Sequence, residues 1–276
     1  MVLRNDELMM QMESEFQKTN DASFAGGNLI SNYLGLPVLS GFWPMTGKNG
    51  SGEPNDLSGN GLTLTNSGVQ FGYLGSSPVV AMANFGAAST DRLYRVDESS
   101  FYTSFTTGHL LTANRGLTAG LWIRYNSFGS SSEGIMGQWN SGQVGWLIHT
   151  AAGGNIEGYC SWNGTNNVKA ELTPAESGVA TGEWHFLCLQ VSPSAQENFV
   201  RIWVDNVYDE VAYGNTALHD STANFGIGHY YSSGSPTAYF EGQIAMPFLC
   251  GGNIGDTNIR RLYYRTRPAL QSRALW

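Results

Sequence analysis

Apolar and polar residues alternate along most of this chain, and a period of two predicts β-strands. The clearest case is residues 200–204, in which three branched apolar side chains alternate with an arginine and a tryptophan. A tight Asp-Asn turn is predicted at 205–206, because both residue types tolerate positive φ, and residues 207–211 lead back. Residues 184–191 are a dense apolar run that is too short for a typical helix. These three predicted strands need a partner sheet to cover their apolar faces.

The rest of the chain supplies at least ten strand candidates, separated by Gly, Asn, Asp and Ser turn signals. There is no alternation of strands with helices and no internal repeat, which argues against a parallel sheet, a propeller or a solenoid. The pattern therefore predicts an all-β, two-sheet antiparallel sandwich. Near the end the period changes, and residues 255–265 are predicted to form a short helix with Asp256 or Thr257 as its cap. The other predicted strands lie at 36–45, 62–65, 79–82, 92–97, 117–125, 135–139, 144–149, 156–162, 168–172, 225–231 and 238–250.

The first 20 residues differ from everything that follows, since they contain neither Gly nor Pro and are rich in helix formers. Four apolar residues recur at helical spacing and predict an amphipathic helix: Leu8, Met9, Met12 and Phe16. Such a helix either packs on its own domain or docks on a neighbouring subunit through adaptable Met side chains. We predict the second role, with residues 1–35 as an N-terminal helical arm for assembly and 36–276 as the sandwich domain.

Composition limits the partners and the compartment. The formal net charge of −8 argues against nucleic acid, because phosphate binding needs a basic face. No apolar run is long enough to predict a membrane span, and Asp6 and Glu7 stand where a signal peptide would become apolar. The three cysteines are an odd set without CxxC spacing, and Cys188 and Cys250 lie in apolar runs, which predicts free buried thiols made in a reducing cytoplasm.

Motifs for catalysis are missing from the sequence. There is no G-x-S-x-G, no H-E-x-x-H, no P-loop and no Rossmann fingerprint, and the five histidines show no metal-ligand spacing. Asp97-Glu98 and Asp209-Glu210 are adjacent pairs, so on a strand their side chains would face opposite sides. We therefore predict a protein that is not an enzyme.

Exposed aromatic residues beside Asn are the pattern expected of a glycan contact. Trp162 and Asn163 begin one such loop, and Tyr230 and Tyr231 form another candidate. Trp162 is equally consistent with a strand-end core residue. Tyr230 and Tyr231 cannot both point inward on a strand, so one of them is predicted to be exposed.

Four short segments, taken in order, resemble the concanavalin A-like jelly rolls, in particular laminin G-like domains. They are GFWPM at 41–45, DLSGNG at 56–61, GEWHF at 182–186 and IWVDNV at 202–207. In the last segment Asn206 replaces the family's Gly, which is a mild departure because Asn can occupy a left-handed turn position. The resemblance covers about residues 36–270 and implies the same all-β jelly-roll sandwich.

A looser resemblance is to laminin G-like proteins of tailed bacteriophages, through 41–45, the R-x-D-E segment at 95–98 and the F-L-C segment at 248–250. It implies a non-enzymatic virion structural protein, made in the host cytoplasm, that decorates the capsid or forms a fibre or tail appendage. Its predicted partners are other virion proteins and further copies of itself. The alternative is a lectin that binds host-surface glycans, and the third hypothesis is a glycoside hydrolase.

The resemblance also raises two questions of chemistry. Hydrolases with this fold carry an E-x-D-x-E strand, and no such trio occurs here. Many relatives hold Ca²⁺ with loop oxygens, which makes Ca²⁺ a candidate cofactor, although no spacing matches a known calcium loop and these residues equally suit turn caps. The candidate ligands are Asp56, Asn60, Asp91 and Asp220.

Overall fold

A computed structural model of the protein describes residues 39–45, 52–58, 60–73, 81–86, 90–96, 116–129 and 131–270. The predicted arm residues Leu8, Met9, Met12 and Phe16 lie outside the described residues, as do Asp97 and Glu98. The described chain forms two large antiparallel sheets, which confirms the predicted all-β sandwich.

The first sheet, sheet A, has eight strands in the order β13-β12-β11-β6-β17-β4-β3, with β1 also paired to β17. Its strands are β1 Leu39–Phe42, β3 Gln70–Tyr73, β4 Ala81–Phe85, β6 Leu117–Tyr125, β11 Trp184–Pro193, β12 Asn198–Val204, β13 Val207–Ala212 and β17 Gly242–Cys250.

The second sheet, sheet B, has seven strands in the order β10-β9-β8-β7-β14-β5-β2. Its strands are β2 Thr65–Ser67, β5 Arg92–Arg95, β7 Glu133–Gln138, β8 Val144–Thr150, β9 Ile156–Gly164, β10 Asn167–Leu172 and β14 Phe225–Ile227. A small hairpin of β15 Tyr230–Ser232 and β16 Ser235–Thr237 follows β14.

The main core lies between the two sheets, and the period-two pattern fills it. Val200, Ile202 and Val204 of β12 point into this core, as the alternation predicted. Arg201 and Trp203 on the other face of β12 are buried as well, because a helix covers that face of sheet A. The central strands β6, β11, β12 and β17 of sheet A therefore bury apolar residues on both faces.

That helix is α2, Asp256–Leu270, which extends five residues beyond the predicted end. Tyr263 stacks on Trp122, with ring centroids 5.9 Å apart, and Trp122 Nε1 donates a hydrogen bond to Thr266 Oγ1 (2.8 Å). At the helix start, Arg201 donates to the Asp256 carboxylate (2.5 Å), so one buried cation fixes α2 to the sheet. The other described helix is the single turn α1, Pro174–Ser177, and neither is long and apolar enough to cross a membrane.

The turn at 56–61 organises the start of the sandwich. The Asp56 carboxylate accepts hydrogen bonds from the backbone N–H groups of Phe42, Ser58 and Leu62, at 2.8–3.0 Å. It also accepts a bond from the Ser58 hydroxyl (2.8 Å), and Asn60 Nδ2 donates to the Ser40 carbonyl (2.8 Å). These bonds explain why this polar motif stands beside an apolar strand.

The GEWHF and IWVDNV motifs meet in one contact. His185 Nδ1 lies 2.9 Å from Asp205 Oδ2, and His185 Nε2 accepts a bond from the Ala180 N–H (3.1 Å). His185 therefore has a structural role. The predicted tight turn at 205–206 joins β12 to β13, and its left-handed residue is Asp205, with φ of 52°, rather than Asn206.

Two strand predictions also need correction. Residues 225–231 are not one strand, because the chain breaks at Gly228 with φ of 80° and resumes as β15. Residues 62–64 are not a strand either, since β2 begins only at Thr65. The predicted free buried thiols are confirmed for Cys188 and Cys250, and Cys160 is a third.

Candidate functional site

The outward face of sheet B carries a polar cluster that the alternation of β9 and β10 places there. Ile156 and Cys160 of β9 and Ala170 of β10 point into the main core. Since successive side chains on a strand face opposite sides, Glu157, Tyr159, Lys169 and Glu171 lie on the outward face.

The strand register brings these side chains together in two neighbouring rows. His149 of β8, Glu157 of β9 and Glu171 of β10 are aligned in one row across three strands. Leu147, Tyr159 and Lys169 form the next row. Residues far apart in sequence therefore stand at cross-strand distances at which their side chains interact.

Glu157 is the centre of this arrangement. Its carboxylate lies 2.7 Å from His149 Nε2, accepts a bond from Lys169 Nζ (2.6 Å) and another from the Tyr159 hydroxyl (3.0 Å). Lys169 also donates to Glu171 (2.8 Å). We call these five residues, His149, Glu157, Tyr159, Lys169 and Glu171, the outer-face cluster.

Electrostatics keep Glu157 ionised. Burial alone would raise the pKa of this carboxyl, but hydrogen bonds from His149 and Lys169 outweigh burial and lower the pKa from 4.5 to about 2. The same pairing raises the pKa of Lys169 above its usual value, through hydrogen bonds to Glu157 and Glu171. Burial, followed by the Glu157 charge, raises the pKa of Tyr159 to about 12. At neutral pH the cluster therefore holds a fixed carboxylate beside a fixed ammonium group and a protonated phenol.

Aromatic rings surround the cluster. Tyr159 lies 5.3 Å from Trp139 and 5.1 Å from His149, measured between ring centroids, and Tyr230 lies 6.4 Å from His149. Trp139, Tyr159 and Tyr230 are each partly exposed. We call Trp139 and Tyr230 the aromatic rim.

A glycine allows the rim to approach the sheet. Gly134 is paired with His149 on the outward face, and a Cβ atom there would lie 2.6 Å from the Tyr230 nitrogen and 2.4 Å from the His229 carbonyl carbon. The hairpin β15–β16 can therefore rest on β7 only because position 134 has no side chain. The Tyr231 N–H then donates to the Trp139 carbonyl (3.1 Å), which ties both halves of the rim together.

Trp162 and Asn163 lie at the end of β9 rather than in a loop, away from the outer-face cluster, and both have structural contacts. Trp162 is partly buried against the main core and meets Tyr213 edge to face, with centroids 6.2 Å apart. Asn163 is exposed, and its Oδ1 accepts bonds from the N–H groups of Thr165 (3.1 Å) and Asn166 (2.8 Å). Contact of Trp162 and Asn163 with a glycan stays a prediction.

The two tyrosines at 230–231 face different environments. Tyr230 is partly exposed in the rim, whereas Tyr231 is only 6% exposed and packs on the buried His229. The expectation that they cannot both point inward agrees with this placement. Of the four predicted glycan-contact residues, Tyr230 is the one that lies beside the outer-face cluster.

The candidate calcium ligands are not gathered into one site. Asp56 and Asn60 are used by the 56–61 turn, and Asp91 accepts a bond from the Gly86 N–H (3.1 Å). Asp220 is exposed, and partial burial of its carboxyl raises its pKa. Among the residues that the structure describes, no group of three or more His, Cys, Asp or Glu side chains could hold a metal ion.

Sequence reasoning missed the outer-face cluster, although a signal for it was present. The dipeptide Asn163-Gly164 carries a turn signal, and residues equally far from the centre of a hairpin connection on its two strands face each other. In the structure the register is centred on Gly164, so Glu157 is opposite Glu171 and Tyr159 is opposite Lys169. A turn centred between residues 163 and 164 would shift this register by one residue and place Ala170 and Val168 opposite them instead. The position of His149 opposite Glu157 depends on the register between β8 and β9. A longer connection separates these two strands, so counting from a turn does not give their register.

Comparison with protein families identifies a match over residues 97–247, more than half of the chain, to a laminin G model described as the concanavalin A-like lectin/glucanases superfamily. A comparison of the sequence with curated proteins finds no match.

Among solved structures, the chain is similar to receptor-binding domains of botulinum neurotoxins. The binding domain of neurotoxin DC in complex with SialylT has 10% identity and a TM-score of 0.59, covering 84% of this chain and 52% of that one. The serotype D binding domain has 12% identity and a TM-score of 0.59, covering 82% and 50%. A third structure concerns botulinum neurotoxin type C, whose cell entry depends on interaction with two ganglioside molecules. It has 11% identity and a TM-score of 0.59, covering 85% of this chain and 52% of that one. This chain spans about half the length of those proteins, and at such identity the likeness shows the fold alone.

Proposed function

Because the chain belongs to the concanavalin A-like lectin/glucanases superfamily, we propose that it is a non-catalytic, lectin-like module that binds glycans. The observation that carries this proposal is the outer-face cluster beside its aromatic rim. A sugar presents apolar C–H faces and a ring of hydroxyl groups, so it needs aromatic surface and fixed polar groups together. The aromatic surface is supplied by the partly exposed side chains of Trp139, Tyr159 and Tyr230. The fixed polar groups are supplied by Lys169 and Glu171.

Within this site, Glu157 and His149 have a supporting role. Glu157 is 5% exposed and His149 7% exposed, so neither offers much surface to a ligand. Glu157 instead fixes the positions of the Tyr159 hydroxyl and the Lys169 ammonium group. A preformed arrangement of this kind lowers the ordering cost of binding.

The same electrostatics support the non-catalytic part of the proposal. A glycoside hydrolase needs a carboxylic acid whose pKa is raised, so that it can protonate the leaving group. The pKa of Glu157 is lowered to about 2, which leaves it without a proton at neutral pH. Its neighbour Glu171 is bridged to it by Lys169, so one ammonium group offsets part of the charge of the two carboxylates.

The proposal is tested by screening the full chain on a glycan array, with and without Ca²⁺, and titrating any hit by calorimetry. We expect Tyr230→Ala and Lys169→Ala each to weaken binding at least about tenfold. Tyr264→Ala is the matched control, because Tyr264 is an exposed aromatic residue on α2, on the other side of the sandwich. Trp162→Ala tests the site that the sequence predicted.

Three results would contradict the proposal. Silence of the array in both conditions would remove the glycan ligand. Loss of binding in Tyr264→Ala or Trp162→Ala, with Tyr230→Ala unchanged, would move the site away from sheet B. Release of reducing ends from a polysaccharide, abolished by Glu171→Gln, would make the protein a hydrolase.

As the setting of this module we propose the virion of a tailed phage, with the sandwich displayed on the head or tail. The support is the resemblance carried by residues 41–45, 95–98 and 248–250. The first and last of these segments include paired strands, since Phe42 is opposite Phe248. Mass spectrometry and antibody labelling of purified particles test this setting, and absence of the protein from particles of a phage that encodes it would refute it.

A further inference from the structure

Helix α2 presents a basic surface to solvent. Its outward stripe contains Arg261, Tyr264 and Arg265 at helical spacing, and Tyr264 is 53% exposed. Arg267 is also exposed, with its guanidinium 5.6 Å from the centre of the Tyr263 ring. We call Arg261, Tyr264, Arg265 and Arg267 the α2 basic face.

This surface contrasts with the charge of the protein as a whole. The chain has 14 Lys and Arg residues against 22 Asp and Glu residues, yet α2 contains four arginines and a single acidic residue. That acidic residue, Asp256, is already paired with Arg201 at the start of the helix. An acidic partner is therefore attracted to α2 while the rest of the surface repels it.

The helix is held rigidly enough to act as a docking surface. Arg260 donates to the side chain of Asn206 in the β12–β13 turn, and its guanidinium lies 5.0 Å from the centre of the Trp203 ring. At the other end, Thr266 accepts a bond from Trp122. Arg and Tyr side chains on a fixed support are the residue types that contribute most to protein interfaces.

The chain itself contains a segment with complementary properties. Residues 1–20 hold four carboxylates, including Asp6 and Glu13, against two basic residues. If the segment is helical, Asp6 and Glu13 lie two turns apart on one side, next to the predicted apolar stripe.

We propose that the α2 basic face binds residues 1–20 of a second copy of this chain. Two copies would exchange their arms reciprocally, each acidic arm lying along the α2 helix of its partner, as a twofold interface requires. The intervening residues 21–38 would span about 23 Å as a flexible chain, close to the length of α2 at about 22 Å. The same tether would also reach the α2 helix of its own copy, so the experiment must separate exchange from self-docking.

The test uses charge reversal in the full chain and sedimentation equilibrium. One variant, R261E/R265E, reverses the helix face and keeps the acidic arm. The other, D6K/E13K, reverses the arm and keeps the basic helix. We expect each alone to weaken self-association of the full chain at least about tenfold, and the wild-type association to weaken with added salt.

Mixing the two variants decides between exchange and self-docking. In an equimolar mixture every arm meets a helix of opposite charge on the other variant, so we expect association to return as a mixed dimer. A further variant, R261Q/R265Q, removes two positive charges from the helix. Its matched control is Q70E/T222E, which changes the net charge by the same two units at exposed positions away from α2 and removes no arginine. We expect R261Q/R265Q to weaken association and Q70E/T222E to leave it unchanged.

The remaining outcomes overturn the proposal. A wild-type chain that stays monomeric at about 100 µM has no such interface. Equal weakening by Q70E/T222E would show a general charge effect. No recovery of association on mixing would show that the arm of one copy does not bind the α2 helix of another. None of these results bears on glycan binding by sheet B, which Tyr230→Ala tests separately.

Discussion

Replacing Glu157 by Gln is the most direct test of how the outer-face cluster is held. The substitution keeps the shape of the side chain and its bond to Tyr159, but removes the charge that pairs with His149 and Lys169. Removing one partner of a buried ion pair leaves the other charge uncompensated, which is destabilising.

The magnitude follows from the pKa. Lowering the pKa of Glu157 from 4.5 to about 2 corresponds to about 3 kcal/mol of preference for the charged form in the folded state. The Lys169 side chain is 36% exposed, so solvent screens its part of this energy. We therefore expect E157Q to lower the free energy of unfolding at pH 7 by about 1–2 kcal/mol. The Glu171 side chain is more exposed than that of Glu157, at 32% against 6%. E171Q should therefore lower the free energy of unfolding by less than about 1 kcal/mol.

The same pair gives a pH dependence with a defined sign. A carboxyl whose pKa is lowered by folding stabilises the protein fully above its unfolded pKa, near 4.5, and this contribution is lost as pH falls towards 2. Urea unfolding of wild type, E157Q and E171Q between pH 7 and pH 3 measures it. The wild type should lose more stability over this range than E157Q. Equal stability of wild type and E157Q at pH 7, together with parallel pH profiles, would refute the argument.

Three further predictions concern the scaffold. His185→Ala removes the bond to Asp205, and we expect a loss of about 2–3 kcal/mol in urea unfolding, with no change in the β-sheet circular dichroism spectrum. Gly228→Ala places a Cβ 2.2 Å from the Phe85 ring at a φ of 80°, so it should cost at least about 3 kcal/mol, and a melting temperature equal to that of wild type would contradict the predicted clash. Burial raises the pKa of the Cys160 thiol to about 12, so a thiol reagent at pH 8 should label it no faster than the protein unfolds, and rapid labelling would show that the site is open.

The alternation of residue types was enough to predict the two-sheet sandwich and many of its strands. The predicted strand at 117–125 coincides with β6, and the predicted turn at 205–206 joins β12 to β13. Period-two patterns survive in the fold because one side of each strand must face a core. The prediction of one strand over residues 225–231 failed because Gly228 takes a left-handed conformation, which a glycine permits and a pattern of apolar residues does not reveal.

The sequence by itself therefore determined the fold class and the buried thiols of Cys188 and Cys250. Only the tertiary structure decided which polar residues form a site. Glu157 and Lys169 are 12 residues apart, and His149 and Tyr230 lie on different strands, so their meeting depends on strand order and register. The same holds for α2, whose position over sheet A buries Arg201 and Trp203 and leaves Arg261 and Tyr264 exposed. A local pattern records which side of a strand or helix is apolar, whereas the packing of distant elements decides which polar groups share a surface.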